Sequence, residues 1–145
     1  MPQLIRLFYV SRATQKGVDQ VITDILRVAR EFNASNGITG ILTFDGEHFT
    51  QVLEGSGAGV NALMTRITRD DRHKDVRVLS SEPIHDRYFQ QWAMNYIYDI
   101  RLVEEVSQYF GIIQPEADEV IEFIEDLREY CLLYTSPSPR DKRQS

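Results

Sequence analysis

A chain of 145 residues can bury one core of useful size and is short for two domains. Its 42% hydrophobic and 26% charged residues are those of an ordinary globular protein, and a formal net charge of −6 argues against a general nucleic-acid binder, which needs a basic stripe against phosphates. The one cysteine, Cys131, rules out an internal disulfide, and His48, His73 and His85 are not at zinc-ligand spacing.

From Leu4 to Val10 the residues alternate as in a strand, with Ile5, Leu7 and Tyr9 on one face. After a polar turn, Val18, Val21, Ile22, Ile25, Leu26, Ala29 and Phe32 recur at spacings of three and four, the buried stripe of a helix from about Gly17 to Ser35. Asn36-Gly37 ends it, with Gly37 suited to a positive φ. Strands follow over Ile38–Phe44 and Glu47–Glu54, joined at Asp45-Gly46, a two-residue hairpin signal. On the second of these, Phe49, Gln51 and Leu53 share a face opposite the mostly polar His48, Thr50 and Glu54.

A turn at Gly55-Ser56-Gly57 opens a second helix marked by Val60, Leu63, Met64 and Ile67, which ends in the charged run Arg69–His73. Val76–Leu79, extending toward Ile84, reads as a fourth strand. Phe89–Tyr98 reads as a fifth, with Trp92, Met94 and Tyr96 on one face. This β-α-β-β-α-β order with one added strand predicts an α+β, ferredoxin-like sheet carrying two helices on one face. The other face needs a cover, which the amphipathic segment Pro115–Tyr130 can supply through Val120, Phe123, Ile124, Leu127 and Tyr130.

The motifs are more specific than the fold. Tyr9-Val10-Ser11-Arg12-Ala13, then Asn33-Ala34-Ser35-Asn36-Gly37-Ile38-Thr39-Gly40, then Gln51-Val52-Leu53-Glu54-Gly55 form a series. Asp70-Asp71-Arg72-His73 and Trp92-Ala93-Met94 complete it. In order and spacing, over residues 4 to 97, the series resembles the BLUF family, the sensors of blue light using FAD. The resemblance implies a flavin held non-covalently between the two helices: FAD, with FMN or riboflavin as alternatives because the family reads mainly the ring.

Carried over by position, the resemblance makes Tyr9 the electron and proton donor to the excited flavin. Gln51 is the bridge between them that rotates or tautomerises. Asn33 holds the ring's polar edge, and Ile25 and Phe32 contact the ring by packing. Phe32 stands where several members carry a polar residue or histidine. Asp70, Arg72 and His73 sit at the pocket mouth, with Arg66 a lesser contact. Met94 and Trp92 compete for the space beside Gln51 and pass the change outward.

Taken singly, these residues have plainer readings: Tyr9, Trp92 and Met94 as core, Gln51 as a solvent-facing strand residue, Asn33 as a helix-end residue, Asp70–His73 as a solvated terminus. Two other functions fit the fold. One is a ligand-binding regulator without photochemistry. The other is an acylphosphatase-type hydrolase, for which Arg12 lies in the first βα turn but lacks a glycine-rich phosphate cradle.

The expected organisation is a flavin-binding domain over 1–98 and a helical extension over 99–130. The segment 131–145 resembles translated library-adapter sequence and is expected to be a non-native tail, with the natural sequence cut short near Tyr130. No enzymatic domain is expected. Output is expected through a separate effector protein and homo-oligomer assembly, with no direct nucleic-acid or membrane partner. No apolar run of about 18 residues and no signal-peptide layout occurs, so a cytoplasmic location is expected.

Overall fold

The computed structural model describes residues 3–14, 19–44, 46–89, 95–97 and 116–134. The chain divides into two compact units, Met1–Pro115 and Glu116–Ser145. The domain limit expected at 98 falls outside the described residues.

The first unit contains β1 (Leu4–Ala13), α1 (Asp19–Asn36), β2 (Thr39–Phe44), β3 (His48–Ser56), α2 (Gly57–Arg69), β4 (His73–Ile84) and β5 (Asn95–Ile97). They form one sheet in the order β4-β1-β3-β2-β5, antiparallel except for the parallel pairing of β2 with β5. This is the expected ferredoxin-like arrangement. Leu7, Tyr9, Leu42, Phe49 and Leu53 from the sheet pack with Ile25 of α1 and with Val60, Leu63 and Ile67 of α2. The side chains of 19–21 lie outside the described set.

Local chemistry explains the element ends. Gly37 has φ +66°, and Ile38 N donates to Asn33 O over 2.9 Å, which closes α1 in a Schellman motif. Ser56 caps α2, its Oγ accepting from Gly59 N at 3.0 Å. Gly40 is needed for close approach, since a Cβ there would stand 2.1 Å from the Val52 carbonyl oxygen. The β2–β3 connection is longer than a two-residue hairpin. Phe44 is paired with Phe49, while His48 pairs with Arg12 of β1 and Ala13 N donates to Glu47 O at 2.8 Å. Competition from β1 therefore opens the turn; Asp45 lies outside the described residues.

Three strands differ from expectation. β1 runs on through Ser11 and Arg12 to Ala13, where a polar turn is expected, because these residues continue the pairing with β3 as far as His48. β4 runs from His73, and Pro83 near its end is tolerated because β4 is an edge strand. Phe89 stands before rather than within the fifth strand, because its backbone amide donates to Glu54 Oε1 at 2.9 Å instead of to a ladder. Trp92 and Met94 fall outside the described residues.

The sheet face turned away from α1 and α2 is also buried. Phe8, Val10 and Val52 are inaccessible, and the polar Thr50 and Glu54 are buried beside them. Glu54 accepts from Arg6 Nε at 2.8 Å and from the backbone amides of Tyr88 and Phe89 at 2.9 Å each. The Arg6 guanidinium stacks 3.7 Å from the Tyr88 ring centroid. A buried carboxylate thus pins the segment leading toward β5 onto the middle of the sheet.

The second unit contains α3 (Ala117–Tyr134). Val120, Phe123, Ile124, Leu127 and Cys131 are buried along one stripe. The helix does not stop at Tyr130 as expected. Cys131 repeats the stripe four residues after Leu127, and no helix breaker occurs before Pro137. No helix among the described residues is long and apolar enough to cross a membrane.

Glu54→Ala is expected to lower the unfolding free energy by about 3–5 kcal/mol, because it leaves the Arg6 charge and two amides buried without their acceptor. Urea unfolding of the two proteins measures the difference.

Candidate functional site

Tyr9 and Gln51 are direct cross-strand partners on β1 and β3, so the register places their side chains side by side on the helix-facing surface. Both are buried, Tyr9 completely. The Tyr9 hydroxyl donates to Gln51 Oε1. Burial among apolar groups raises the Tyr9 pKa far above the ordinary phenol value, and the negative charge of Asp70 raises it further. Tyr9 is therefore held as a neutral hydrogen-bond donor.

Gln51 forms part of the floor of a cavity of about 340 Å³ between α1 and α2, within the roughly 300–1,000 Å³ range of small-molecule sites. Ile25, Val28, Ala29 and Phe32 of α1 and Leu63 and Ile67 of α2 make apolar walls. The rim carries the charged Arg66, Arg69, Asp70 and Arg72 together with His73. Of the apolar wall on α1, Ile25 is buried and Val28, Ala29 and Phe32 are half-buried. Such a space fits a flat apolar ring with a hydrogen-bonding edge and an anionic tail.

The rim is built on the α2–β4 turn. Asp70 grips Arg72 at both oxygens, accepting from Nε at 3.0 Å and from Nη2 at 2.8 Å, and it also accepts from the Arg72 backbone amide at 2.9 Å. Burial pulls the Asp70 carboxyl upward, but these hydrogen bonds and the Arg72 charge outweigh it and leave its pKa below the usual value. The Arg72 guanidinium, hydrogen-bonded to Asp70, is raised in turn. Thr14 ties the turn to the end of β1, its hydroxyl donating to Asp71 O at 2.7 Å. Arg66 lies over the Phe32 ring, 4.7 Å from its centroid, so a cation caps the α1 wall.

His73 is the innermost rim residue. Its ring is tilted 4.9 Å from Phe49 and edge-on to Tyr9 at 6.4 Å, and its Nδ1 lies 2.9 Å from Ser11 Oγ. Burial pushes its pKa down to about 4; Asp70 opposes this and Arg72 adds to it.

Of the residues singled out in the sequence, Ile25, Phe32, Gln51, Arg66, Asp70, Arg72 and His73 all line this one cavity. Tyr9 stands behind Gln51, joined to it by the hydrogen bond. Asn33 is buried in the last turn of α1, beside Phe32, and is not on the cavity wall itself. Trp92 and Met94 cannot be placed, being outside the described residues. Sequence reasoning missed Val28, Ala29, Leu63, Ile67 and Arg69. The helical stripes contain Ala29, Leu63 and Ile67, but periodicity does not distinguish a cavity wall from packed core. Among the described residues no group of three His, Cys, Asp or Glu is placed to hold a metal ion.

The family model for the sensors of blue-light using FAD, BLUF, matches residues 4–95. A photoactivated adenylate cyclase subunit beta of Euglena gracilis is 32% identical over 128 residues, 88% of this chain and 14% of that protein. The blue light- and temperature-regulated antirepressor BluF of Escherichia coli (strain K12) is 32% identical over 101 residues, 70% of this chain and 25% of that protein. The chain thus spans a quarter or less of these curated relatives. Among solved structures, the photo-activated state of BlsA has a TM-score of 0.75 at 30% identity, covering 86% of this chain and 94% of that one. The dark state of BlrB, a BLUF protein, has a TM-score of 0.74 at 30% identity, covering 89% and 98%.

Because the buried His73 is pushed from 6.5 to about 4, the unfolded chain takes up a proton before the folded one as pH falls. Stability is therefore expected to fall through that interval and to level off below it. His73→Gln removes roughly 3 kcal/mol of this pH dependence, read by urea unfolding at a series of pH values. The Asp70 contribution is lost at lower pH, below the ordinary carboxylate value of 3.8.

Proposed function

The chain belongs to the BLUF family, the sensors of blue-light using FAD, and on that premise we propose that it reports light through a Tyr9–Gln51 switch at the floor of the α1–α2 cavity. The observation that carries this reading is the hydrogen bond from the Tyr9 hydroxyl to Gln51 Oε1, made where a ring between the two helices would meet the Gln51 amide.

The residues fit the cofactor. The apolar walls suit the faces of an isoalloxazine ring, the Gln51 amide and His73 suit its polar edge, and Arg66, Arg69 and Arg72 suit the phosphates of its tail. When bound, the flavin supplies blue-light absorption and an excited ring able to accept an electron.

The protein's part begins at Tyr9. Losing the proton alone would leave a phenolate in an apolar layer, which the raised pKa opposes. Losing an electron alone would leave a strongly acidic phenol cation. Tyr9 is therefore the donor of both, and Gln51 Oε1, already its acceptor, receives the proton while the amide releases one of its Nε2 protons toward the cavity, where a bound ring would take it, so that the glutamine stays neutral. An amide has a donor end and an acceptor end, so rotation or tautomerisation of Gln51 changes what one position presents to the ring edge. Return of the proton and electron to Tyr9 resets the pair.

Gln51 sits on the strand between β1 and β2, and β5 lies in parallel register along β2. Met94 directly precedes β5, and Trp92 lies two residues earlier. In this reading they sense the amide and shift β5. The two amide states bias two arrangements of that strand, and the bias is passed to a partner. The chain itself carries out no reaction. Its output goes to a separate effector protein in the cytoplasm, with the chain assembled as a homo-oligomer. The flavin-binding domain covers 1–98 and the helical extension follows it. The catalytic and antirepressor outputs named for its relatives belong to proteins several times its length.

Absorption spectra of the flavin-loaded protein before and after blue light test the reading. A small reversible red shift of the flavin band is expected in the natural sequence. Gln51→Leu and Tyr9→Phe are expected to bind flavin and lose the shift. A full, reversible shift in either variant contradicts the switch.

A further inference from the structure

Ser11 has no part in the roles described so far, yet it is completely buried and sits on β1 two residues beyond Tyr9, on the same face. The sheet is irregular at this point. β1 pairs Val10 with Arg77 but Arg12 with Lys74, so Ser11 has no partner across β4. The extra residues on β4 form a bulge, and Asp75 takes up the turn with φ 54°. This bend separates the strands beside Ser11, and the next side chain its hydroxyl meets is His73, at 2.9 Å from Nδ1.

The proton on this hydrogen bond can be assigned from what surrounds it. A buried hydroxyl must give its proton to an acceptor or bear the cost of an unmade bond. Among the described residues, His73 Nδ1 is the acceptor within reach of Ser11 Oγ. Were Nδ1 to carry the proton instead, the serine hydroxyl hydrogen would be left without one. The charged and titratable groups near the ring are Tyr9 from β1 and Asp70 and Arg72 from the α2–β4 turn, with Asp24 of α1 acting on Arg72. Asp70 is occupied with Arg72, and Tyr9 donates to Gln51. Neither takes the place of Ser11 at Nδ1.

We propose that Ser11 is a positioning residue that fixes His73 as the neutral Nε2–H tautomer, so that a ligand in the cavity meets a hydrogen-bond donor at this wall. A flavin ring edge, rich in carbonyl and imine acceptors, is the class of partner such a donor selects. The inference rests on the flavin reading of the cavity for its ligand but not for the tautomer. Ser11 touches no reacting atom; it acts through His73, which lines the cavity and packs against Phe49 and Tyr9.

Long-range nitrogen-15 NMR of the imidazoles, recorded on the flavin-loaded and flavin-free protein at neutral pH, tests the proposal; His73→Gln assigns the signal. The natural sequence is expected to show Nδ1 unprotonated and Nε2 protonated. Ser11→Ala is expected to lose this single-tautomer pattern and to shift the dark-state flavin band while keeping the light-induced shift that belongs to Gln51. Ser11→Thr, which restores a hydroxyl, is expected to restore the pattern. A protonated Nδ1 in the natural protein overturns the proposal whether or not Ser11→Ala folds. So does an unchanged tautomer in Ser11→Ala. Failure to bind flavin would instead sink the flavin reading, and the tautomer would still be read from the unloaded protein.

Discussion

A phenol hydroxyl enclosed by apolar side chains must have an acceptor, and in this protein the acceptor is an amide on the neighbouring strand. The rest of the structure is arranged around that requirement. A slip of one residue between β1 and β3 would send either Tyr9 or Gln51 to the opposite face and leave the other buried without its partner. The hydrogen bond and the strand register therefore support each other. Because Gln51 also faces the cavity, the same bond that specifies the fold is the one a ligand can disturb.

The two sheet faces divide the work. Toward α1 and α2 lies a cavity with apolar walls, a polar floor and a charged rim. Leaving such walls unpacked forgoes burial worth about 25 cal/mol per Å², which a bound ring would recover. On the other face, Glu54 locks the segment before β5 to β3 through two backbone amides and Arg6. Gln51 and Glu54 are three residues apart on one strand and face opposite ways. A shift at the floor and the anchoring of the segment leading to β5 are thus carried by the same short length of backbone.

Much of this was legible in the sequence. Alternation grouped Tyr9 with Ile5 and Leu7 and Gln51 with Phe49 and Leu53, the family resemblance assigned these faces to the helix side, and the stripes of α1 and α2 located both helices. Gly37 marked the end of α1. What was not legible has physical reasons. Apolar spacing of three and four reads identically whether Val28 and Ala29 meet core or a cavity. Glu54 reads only as one of a mostly polar set on its strand, since its buried role depends on Arg6 and on amides more than thirty residues away. The bulge that leaves Ser11 to meet His73 arises from β1–β4 pairing across 62 residues, beyond the reach of local propensity. The helical extension was expected to end at Tyr130, but Cys131 repeats the apolar position and α3 runs on to Tyr134.

The central claim is that light rearranges the Gln51 amide that Tyr9 holds in the dark. Light-minus-dark infrared difference spectra of the flavin-loaded protein, with glutamine side-chain carbonyls carbon-13 labelled, address it directly. The account predicts an amide carbonyl band that moves on illumination, shifts with the label and disappears in Gln51→Leu. A light-induced difference spectrum in which no band responds to the label would contradict it.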